Sequence, residues 1–467
     1  MKCLSHLVLM LVLGCATVLR AAADVGPNFV VIMAEAQGWP NTSVMMDDRL
    51  SASKSAVFKT PAVERLAREG MRFAYGYALS PRCTPSRAAL LTGIGPAALH
   101  MTYVGVGRET GPVRTALIPP EPILEMPTAV TTVAEMLKGV GYTTAHFGKW
   151  HVGRTDPGKH GFDESDGATN NGGPDGVANP NPKQSFGMTE RGIAFMRRAQ
   201  LAGKPFYLQL SHYPNQERKE GGGGNGRDRD TVRADSDEID KTVMQLLTAL
   251  DTLGLPGRTY VIYTADHGGQ GRNGNAPLSG GKGAVTEGGL RVPFLIRGPG
   301  IAGNVCSRVP VTACDVLPTI AELAGVRAAL PAAVEGGSLA AVLRDQAGRG
   351  NVQRSREELV FHFPHYDMGN GGPATAILLG GYKLVRNYEK KTQRLFDLEN
   401  DPGEERDLAA KLPEKAAELD ARLTRYLNAV AAQLAQPNPN YDPTKADNPS
   451  ADDRRGGKGG KQGKKRG

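Results

Sequence analysis

Cysteine is scarce in this chain: there are five in 467 residues, and two of them, Cys3 and Cys15, fall within the first fifteen positions. A scaffold built on disulfides needs several pairs in a short chain, so that class is excluded. Long apolar runs are also missing. No stretch after the N-terminus approaches the ~18 continuous apolar residues of a membrane span, so no transmembrane segment is expected. No internal repeat is found. The body of the chain lacks an excess of either charge. The formal net charge is +8, but Lys2, Arg20, Arg454, Arg455, Lys458, Lys461, Lys464, Lys465 and Arg466 lie at the two ends, which leaves −1 for residues 21–453. A nearly neutral body has no basic footprint of a nucleic-acid-binding domain, so no nucleic-acid partner is expected.

What is present is the composition of a loop-rich globular protein, with 40% hydrophobic residues, 22% charged residues, 59 Gly and 32 Pro. Disordered, collagenous and coiled-coil classes are excluded on that basis. The length allows roughly three units of about 150 residues, or one large α/β unit with an appendage. At the N-terminus, Lys2 precedes the apolar run Leu7 to Leu13, and Ala21-Ala22-Ala23 stands before Asp24. This is the pattern of a signal peptide over residues 1–23, and it predicts export to the periplasm or the exterior. A second reading takes Val12-Leu13-Gly14-Cys15 as a lipoprotein cleavage box, although Leu13 is larger than the small residue usual there. Cleavage after Ala23 leaves Cys83, Cys306 and Cys314. A bridge between Cys306 and Cys314 is open in an exported chain, and Cys83 then stands alone as a thiol that calls for an explanation.

Apolar runs after turn residues predict buried strands at Phe29 to Ala34, Thr143 to Phe147, Pro205 to Leu210, Tyr260 to Thr264 and Val292 to Ile296. Helical patterns alternate with them: Pro61 to Arg68, Ala129 to Leu137, Thr189 to Gln200, and a face formed by Ile239, Val243, Leu246, Leu247, Leu250 and Leu253. The alternation predicts an α/β fold over residues 24–355, with a large, mostly parallel sheet flanked by helices. In such sheets ligands gather at the carboxyl ends of strands. Glu35, Lys149, His151, His212, Asp266 and His267 all follow predicted strands. Residues 218–229 read as a surface loop. From Arg356 the pattern shortens to strands at Leu359 to Phe363, Thr375 to Leu379, Tyr382 to Tyr388 and Leu395 to Leu398, with a closing helix from Pro413 to about Gln433. A smaller C-terminal α+β subdomain with an antiparallel sheet is expected over 356–435, followed by a disordered basic tail over 436–467.

Cys83-Thr84-Pro85-Ser86-Arg87 reads as a helix start, with Thr84 able to cap it, Pro85 in the first turn and Gly93 at the end. A cysteine at the positive end of a helix, with Arg87 one turn on, sits where an anion binds. The same five residues resemble the signature of the type I sulfatases, formylglycine-dependent members of the alkaline-phosphatase-like superfamily, in which that cysteine is oxidised to formylglycine. Pro27 to Met33, Gly148-Lys149-Trp150-His151, Thr264-Ala265-Asp266-His267-Gly268 and Gly281-Lys282-Gly283 through Arg291-Val292-Pro293 are similar to further motifs of that family. So are Gly381 to Leu384 and Leu398 to Glu404. The resemblance covers residues 26 to 430.

The resemblance implies a secreted sulfuric ester hydrolase acting on a sulfated small molecule or polysaccharide, matured by a formylglycine-generating enzyme. Cys83, once converted, would attack sulfur. Arg87 and Lys149 would orient and neutralise the nucleophile and the sulfate, and His151 would manage the protons of the hydrated aldehyde. His212 and Lys282 would face the ester, and one of them would protonate the leaving oxygen, with His212 favoured for its unperturbed pKa. Alternatives are a phosphate or phosphonate ester hydrolase and a metal-poor binder of sulfated glycans. The family ends its first strand with two aspartates that help to hold calcium. Here those positions are Glu35 and Ala36, so the implied metal set is reduced to Glu35, Asp266 and His267, and weakened binding is expected. His362 and His365 read equally as sugar contacts or as satisfied loop histidines. Asp47 and Asp48 read as a solvated turn, and Asn41-Thr42-Ser43 fits a glycosylation sequon.

Overall fold

The computed structural model describes residues 26–105, 115–171, 185–213, 229–270, 274–367 and 371–444. The longer elements in chain order are β1 (Asn28–Ala34), α1 (Pro61–Glu69), β2 (Met71–Phe73), α2 (Cys83–Thr92), α3 (Val133–Lys138), β3 (Thr143–Gly148), β4 (Glu164–Ser165), α4 (Ser185–Leu201), β5 (Phe206–Ser211), α5 (Arg229–Thr252), β6 (Thr259–Ala265), β7 (Leu295–Arg297), β8 (Val305–Ser307) and α6 (Val316–Leu323). The eight strands form one sheet in the order β8-β2-β7-β6-β1-β5-β3-β4. Strand β1 runs parallel to β5, with Val31 opposite Gln209, and parallel to β6, with Val31 opposite Ile262. The one departure from parallel pairing is β7, antiparallel to both β6 and β2.

The continuous apolar run of β1 is explained by burial on both faces. Val30, Ile32 and Ala34 pack with Leu66 of α1, Phe195 of α4 and Val243, Leu246 and Leu250 of α5. Phe29, Val31 and Met33 share a second core with Leu90 and Leu91 of α2, Leu137 of α3 and Ile320 of α6. Helix α3 starts at Val133, later than the apolar pattern predicts, because Thr132 forms a capping box. Glu135 N donates to Thr132 Oγ1 at 3.2 Å, and Thr132 N donates to Glu135 Oε2 at 2.8 Å.

The C-terminal part carries β9 (Leu359–Phe363), β10 (Ala374–Leu379), β11 (Tyr382–Asn387) and β12 (Thr392–Asp397), antiparallel in chain order, and α7 (Pro413–Ala429). Its two faces separate with the strand period. Val360, Ile377, Leu384 and Leu395 pack on Leu419, Leu423 and Tyr426 of α7, whereas Phe361, Phe363, Ala376 and Phe396 pack on Tyr77, Leu79 and Tyr103 of the large unit. Gln436–Pro437, placed by sequence in the tail, pairs antiparallel with Leu117–Ile118.

Several local expectations are corrected. Cys306 and Cys314 are free thiols, and Cys306 Sγ donates to Met46 O at 3.6 Å. Asp47 is buried and paired with Arg308 at 2.8 Å, so only Asp48 is solvated. Asn41 and Thr42 are buried, which closes the sequon to glycosylation in the folded chain. Almost all of the predicted loop 218–229, and the leader and basic run at the chain ends, lie outside the described residues. Among the described residues no helix is long and apolar enough to cross a membrane.

Candidate functional site

The chain delivers polar groups to one edge of the sheet at the carboxyl ends of four strands. Glu35 follows β1, Lys149 and His151 follow β3, His212 follows β5, and Asp266 and His267 follow β6. Cys83 and Arg87 enter from the first turns of α2. The N-cap of α2 is Arg82 rather than Thr84, since Thr84 spends its hydroxyl on His151 O at 2.8 Å. Gly148 is required where β3 turns into the site: its φ is 96°, and a Cβ there would stand 2.0 Å from Ser211 O. This close approach lets Lys149 N donate to Ser211 O at 2.8 Å and turns the lysine inward.

The groups meet in a buried cluster. Arg87 donates to Lys149 O at 2.7 Å, Glu35 Oε2 at 3.1 Å and Asp266 Oδ2 at 2.9 Å. Lys149 Nζ donates to Glu35 Oε2 at 2.8 Å. Cys83 Sγ lies 3.3 Å from His267 Nε2 and 3.9 Å from Glu35 Oε1. Lys282 arrives on a loop tied at two points, since its own N donates to Gly269 O at 3.0 Å and Gly283 N donates to Pro81 O at 3.0 Å. His151 has a left-handed backbone (φ 55°) and a buried Nδ1 with no hydrogen-bond partner. His212 is anchored by its N to Met33 O at 2.9 Å and by Nε2 to Thr242 Oγ1 at 2.9 Å.

Electrostatics follow from this packing. Burial pushes the Cys83 thiol up, but Lys149, Lys282 and His267 outweigh it and hold the thiol well below its ordinary value. Burial likewise opposes ionisation of Glu35, yet Lys149, Lys282 and Arg87 keep it an anion. Asp266 is raised by burial and by the negative charge of Glu35. Burial lowers His212 to about 4.

The donor set fits a divalent cation. Ligand atoms of Glu35, Cys83, Asp266 and His267 all lie within 4.8 Å of one another. His267 Nδ1 bonds Gly268 O at 2.9 Å, which turns Nε2 toward Cys83 Sγ and the carboxylates. The mutual repulsion of two buried carboxylates is the condition a cation relieves. At Ala36 the backbone is left-handed (φ 52°), and its N donates to Asp266 Oδ1 at 3.0 Å, so the main chain takes up an oxygen of the neighbouring ligand while the side chain offers none.

His362 and His365 belong to the scaffold. His362 bonds Thr375 Oγ1 at 2.7 Å and Gln433 O at 2.9 Å, and His365 bonds Thr102 Oγ1 at 2.8 Å and stacks on Tyr103. Sequence reasoning missed Thr242, for which a lone threonine in a helical pattern gives no signal. It also missed the buried cluster behind the Lys282 loop, where Lys383 Nζ meets Glu287 Oε1 at 2.9 Å and Glu404 Oε1 at 3.0 Å. Glu404 Oε2 in turn accepts from Ser279 Oγ at 2.5 Å and Glu287 N at 2.7 Å.

The Sulfatase family model matches residues 27–326, and the model described as N-sulphoglucosamine sulphohydrolase, C-terminal, matches residues 281–433. The chain is 30% identical to arylsulfatase A of Bos taurus, with 91% of each chain covered. It is 29% identical to N-acetylgalactosamine-6-sulfatase of Mus musculus, covering 82% of this chain and 78% of that one. Its fold is shared with Ps i-CgsB, whose crystal structure holds k-i-k-neocarrahexaose, at a TM-score of 0.68 and 22% identity over 86% of this chain and 93% of that one. The chain belongs to the sulfatase family, enzymes that hydrolyse sulfuric esters, within the alkaline-phosphatase-like superfamily.

Proposed function

We propose that this exported enzyme hydrolyses sulfate monoesters carried by carbohydrates, with Cys83 converted to formylglycine by a maturation enzyme before it acts. The observation that carries the reading is the placement of Cys83 Sγ at 3.3 Å from His267 and 3.9 Å from Glu35, inside a ring of Arg87, Lys149 and Lys282. A sulfate monoester is an anion that repels nucleophiles, and the positive charges of Arg87, Lys149 and Lys282 supply the compensation. The likeness to N-acetylgalactosamine-6-sulfatase and to the neocarrahexaose-bound Ps i-CgsB supports a carbohydrate substrate.

When present, formylglycine at position 83 supplies as its hydrate the hydroxyl that attacks sulfur, and a calcium ion held by Glu35, Asp266 and His267 supplies positive charge at the sulfate oxygens. The remaining work falls to the chain's own side chains. Arg87 is locked by three acceptors, so its guanidinium is preorganised rather than recruited. Lys149 is fully buried against Glu35 and keeps that carboxylate ionised. His151, whose carbonyl accepts from Thr84 in the first turn of α2, has a buried Nδ1 with no hydrogen-bond partner, suited to holding a proton of the nucleophile. For the leaving oxygen, a His212 lowered to about 4 is a neutral imidazole at pH 7. The proton donor is therefore assigned to the Lys282 ammonium rather than to His212.

The test is sulfate release by purified protein from sulfated carbohydrates and 4-nitrophenyl sulfate, with 4-nitrophenyl phosphate alongside and a peptide mass measured across position 83. Sulfate release with formylglycine present supports the reading. A preference for the phosphate ester, or full sulfatase activity with only unmodified thiol, overturns it.

A further inference from the structure

The turn that carries Lys149 and His151 leaves β3 irregularly. Gly148 and His151 both have left-handed backbones (φ 96° and 55°), so the N–H and C=O groups between them need partners from other parts of the chain. On one side β5 and α2 supply them, since Lys149 N donates to Ser211 O at 2.8 Å and Arg87 donates to Lys149 O at 2.7 Å. On the other side one residue does most of this. Thr169, buried on the stretch after β4, donates its hydroxyl hydrogen to Gly148 O at 2.6 Å and accepts from Trp150 N at the same oxygen at 3.1 Å, while its carbonyl accepts from His151 N at 2.8 Å. The directions of these bonds are fixed, because a carbonyl cannot donate and a backbone N–H cannot accept. Tyr213 OH also approaches the Thr169 side chain but makes no well-aligned hydrogen bond, so the hydroxyl hydrogen goes to Gly148 O. Gly148 N is tied to the same stretch by Asp166 Oδ2 at 2.8 Å, and Arg191 holds that carboxylate at 2.7 Å.

We infer that Thr169 is a positioning residue of this turn, whose hydroxyl, donor and acceptor at once, fixes the chain on both sides of Lys149 and so sets the direction of the Lys149 ammonium toward Glu35 and Cys83. This deepens the sulfatase reading and rests on it. Lys149 Nζ reaches Glu35 Oε2 at 2.8 Å and lowers the Cys83 thiol from a main chain that is held on both flanks by hydrogen bonds. Threonine and serine can make both side-chain bonds. Valine has the shape of threonine and makes neither, which leaves Gly148 O and Trp150 N without their partner in a buried place. No proton is transferred at Thr169, so its effect on the reaction passes through the placement of Lys149 alone.

The test has one arm independent of turnover. Hydrogen exchange of the full chain, read by mass spectrometry on peptides spanning residues 148–151, should run about tenfold faster in Thr169→Val, the scale of one lost buried hydrogen bond, while peptides from β1 and β6 keep the wild-type rate. Thr169→Ser should restore slow exchange. In the second arm, on 4-nitrophenyl sulfate, Thr169→Val should lower kcat on the order of a hundredfold, the scale of a misplaced catalytic group. KM should change little, because the attraction of the cations for the bound sulfate falls only with the inverse of distance. Thr169→Ser should recover most of kcat. That ranking is the reverse of what packing alone predicts, since valine keeps the shape of threonine and serine does not. Valine outperforming serine, or faster exchange in Thr169→Val with kcat held, overturns the inference. If Thr169→Val does not fold, Thr169→Ala is read in its place, and wild-type exchange and kcat in that variant likewise overturn it. No turnover by the wild type would count against the sulfatase reading alone, and the exchange rates would still decide whether Thr169 holds the turn.

Discussion

Removing the ammonium of Lys383 should unfasten the C-terminal sheet from the active-site loop. Lys383 lies on β11 with no solvent exposure, between Glu287 at 2.9 Å and Glu404 at 3.0 Å. The two glutamates belong to different parts of the chain. Glu287 opens the short helix after the Lys282 loop and accepts from Tyr77 OH at 3.0 Å, whereas Glu404 lies in the turn after β12 and holds Ser279 at the base of that loop. Lys383→Met keeps the stem and deletes the charge, leaving two buried carboxylates facing each other. Breaking a buried ion pair from one side costs about 3–5 kcal/mol, and urea unfolding followed by tryptophan fluorescence reads it. The pH dependence has a definite sign. Burial lowers the Lys383 pKa, but Glu287 and Glu404 outweigh it and raise it above the ordinary 10.5, so its contribution is complete below that value and is lost only as pH rises beyond it. The deficit of the variant should therefore be full at pH 8. It should shrink on acidification already above the ordinary glutamate value of 4.5, because burial and the charge of Glu287 raise Glu404 and the variant has lost the Lys383 charge that lowers it. Adding Glu287→Gln and Glu404→Gln should recover part of the loss. A deficit under about 1 kcal/mol, the worth of an exposed pair, or one that grows on acidification, would refute the account.

Other outcomes follow from the same geometry. Cys83→Ser should abolish turnover while leaving the unfolding midpoint within the range of a conservative buried change, checked by sulfate release and thermal unfolding. Arg87→Lys cannot reach Lys149 O, Glu35 and Asp266 together, and should lower kcat by about a hundredfold, the scale of a lost transition-state donor. Truncation after Thr444 should leave stability unchanged, whereas truncation after Gln433 removes the Gln436–Pro437 pairing with Leu117–Ile118 and the Asn438 contact to Ala116 O. Comparative urea unfolding separates the two.

The fold was legible where its causes are local. The double-sided burial of β1, β5 and β6 is written as continuous apolar runs, and α5 as a repeating face. The position of the site followed from one rule, since groups that succeed parallel strands converge at one edge of the sheet. What was not legible depends on pairing between distant residues. The antiparallel insertion of β7 between β6 and β2 leaves no mark on three residues of sequence. Asp47 looks solvated until Arg308, 261 positions on, is placed against it. Thr84 carries the chemistry of a cap, yet His151 O competes successfully for its hydroxyl. In each case the deciding partner is distant in sequence and is supplied by the tertiary fold.

Ala36 changes the charge balance of the site in two opposing directions, and the balance gives a prediction. Its methyl group offers no ligand, so a cation at Glu35, Asp266 and His267 must complete its usual six to eight oxygen contacts with the nucleophile, substrate or water. The same replacement removes a negative charge from a buried space where Arg87, Lys149 and Lys282 face Glu35, Asp266 and Cys83. Metal affinity should fall, and attraction for the sulfate anion should rise. Ala36→Asp reverses both effects. An aspartate suits the left-handed backbone at this position (φ 52°) better than alanine does, so the substitution should not strain the turn, provided that Glu35 does not already fill the space. Calorimetry should show calcium binding tightened by Ala36→Asp, on the order of tenfold for about 1.4 kcal/mol of added ligand energy. Chelated Ala36→Asp protein should bind inorganic sulfate more weakly than chelated wild type, because the added carboxylate is then uncompensated. Equal calcium affinities would mean that another residue already completes the ligand set. Tighter sulfate binding by the chelated variant would mean that the three cations do not act as a common field on the anion.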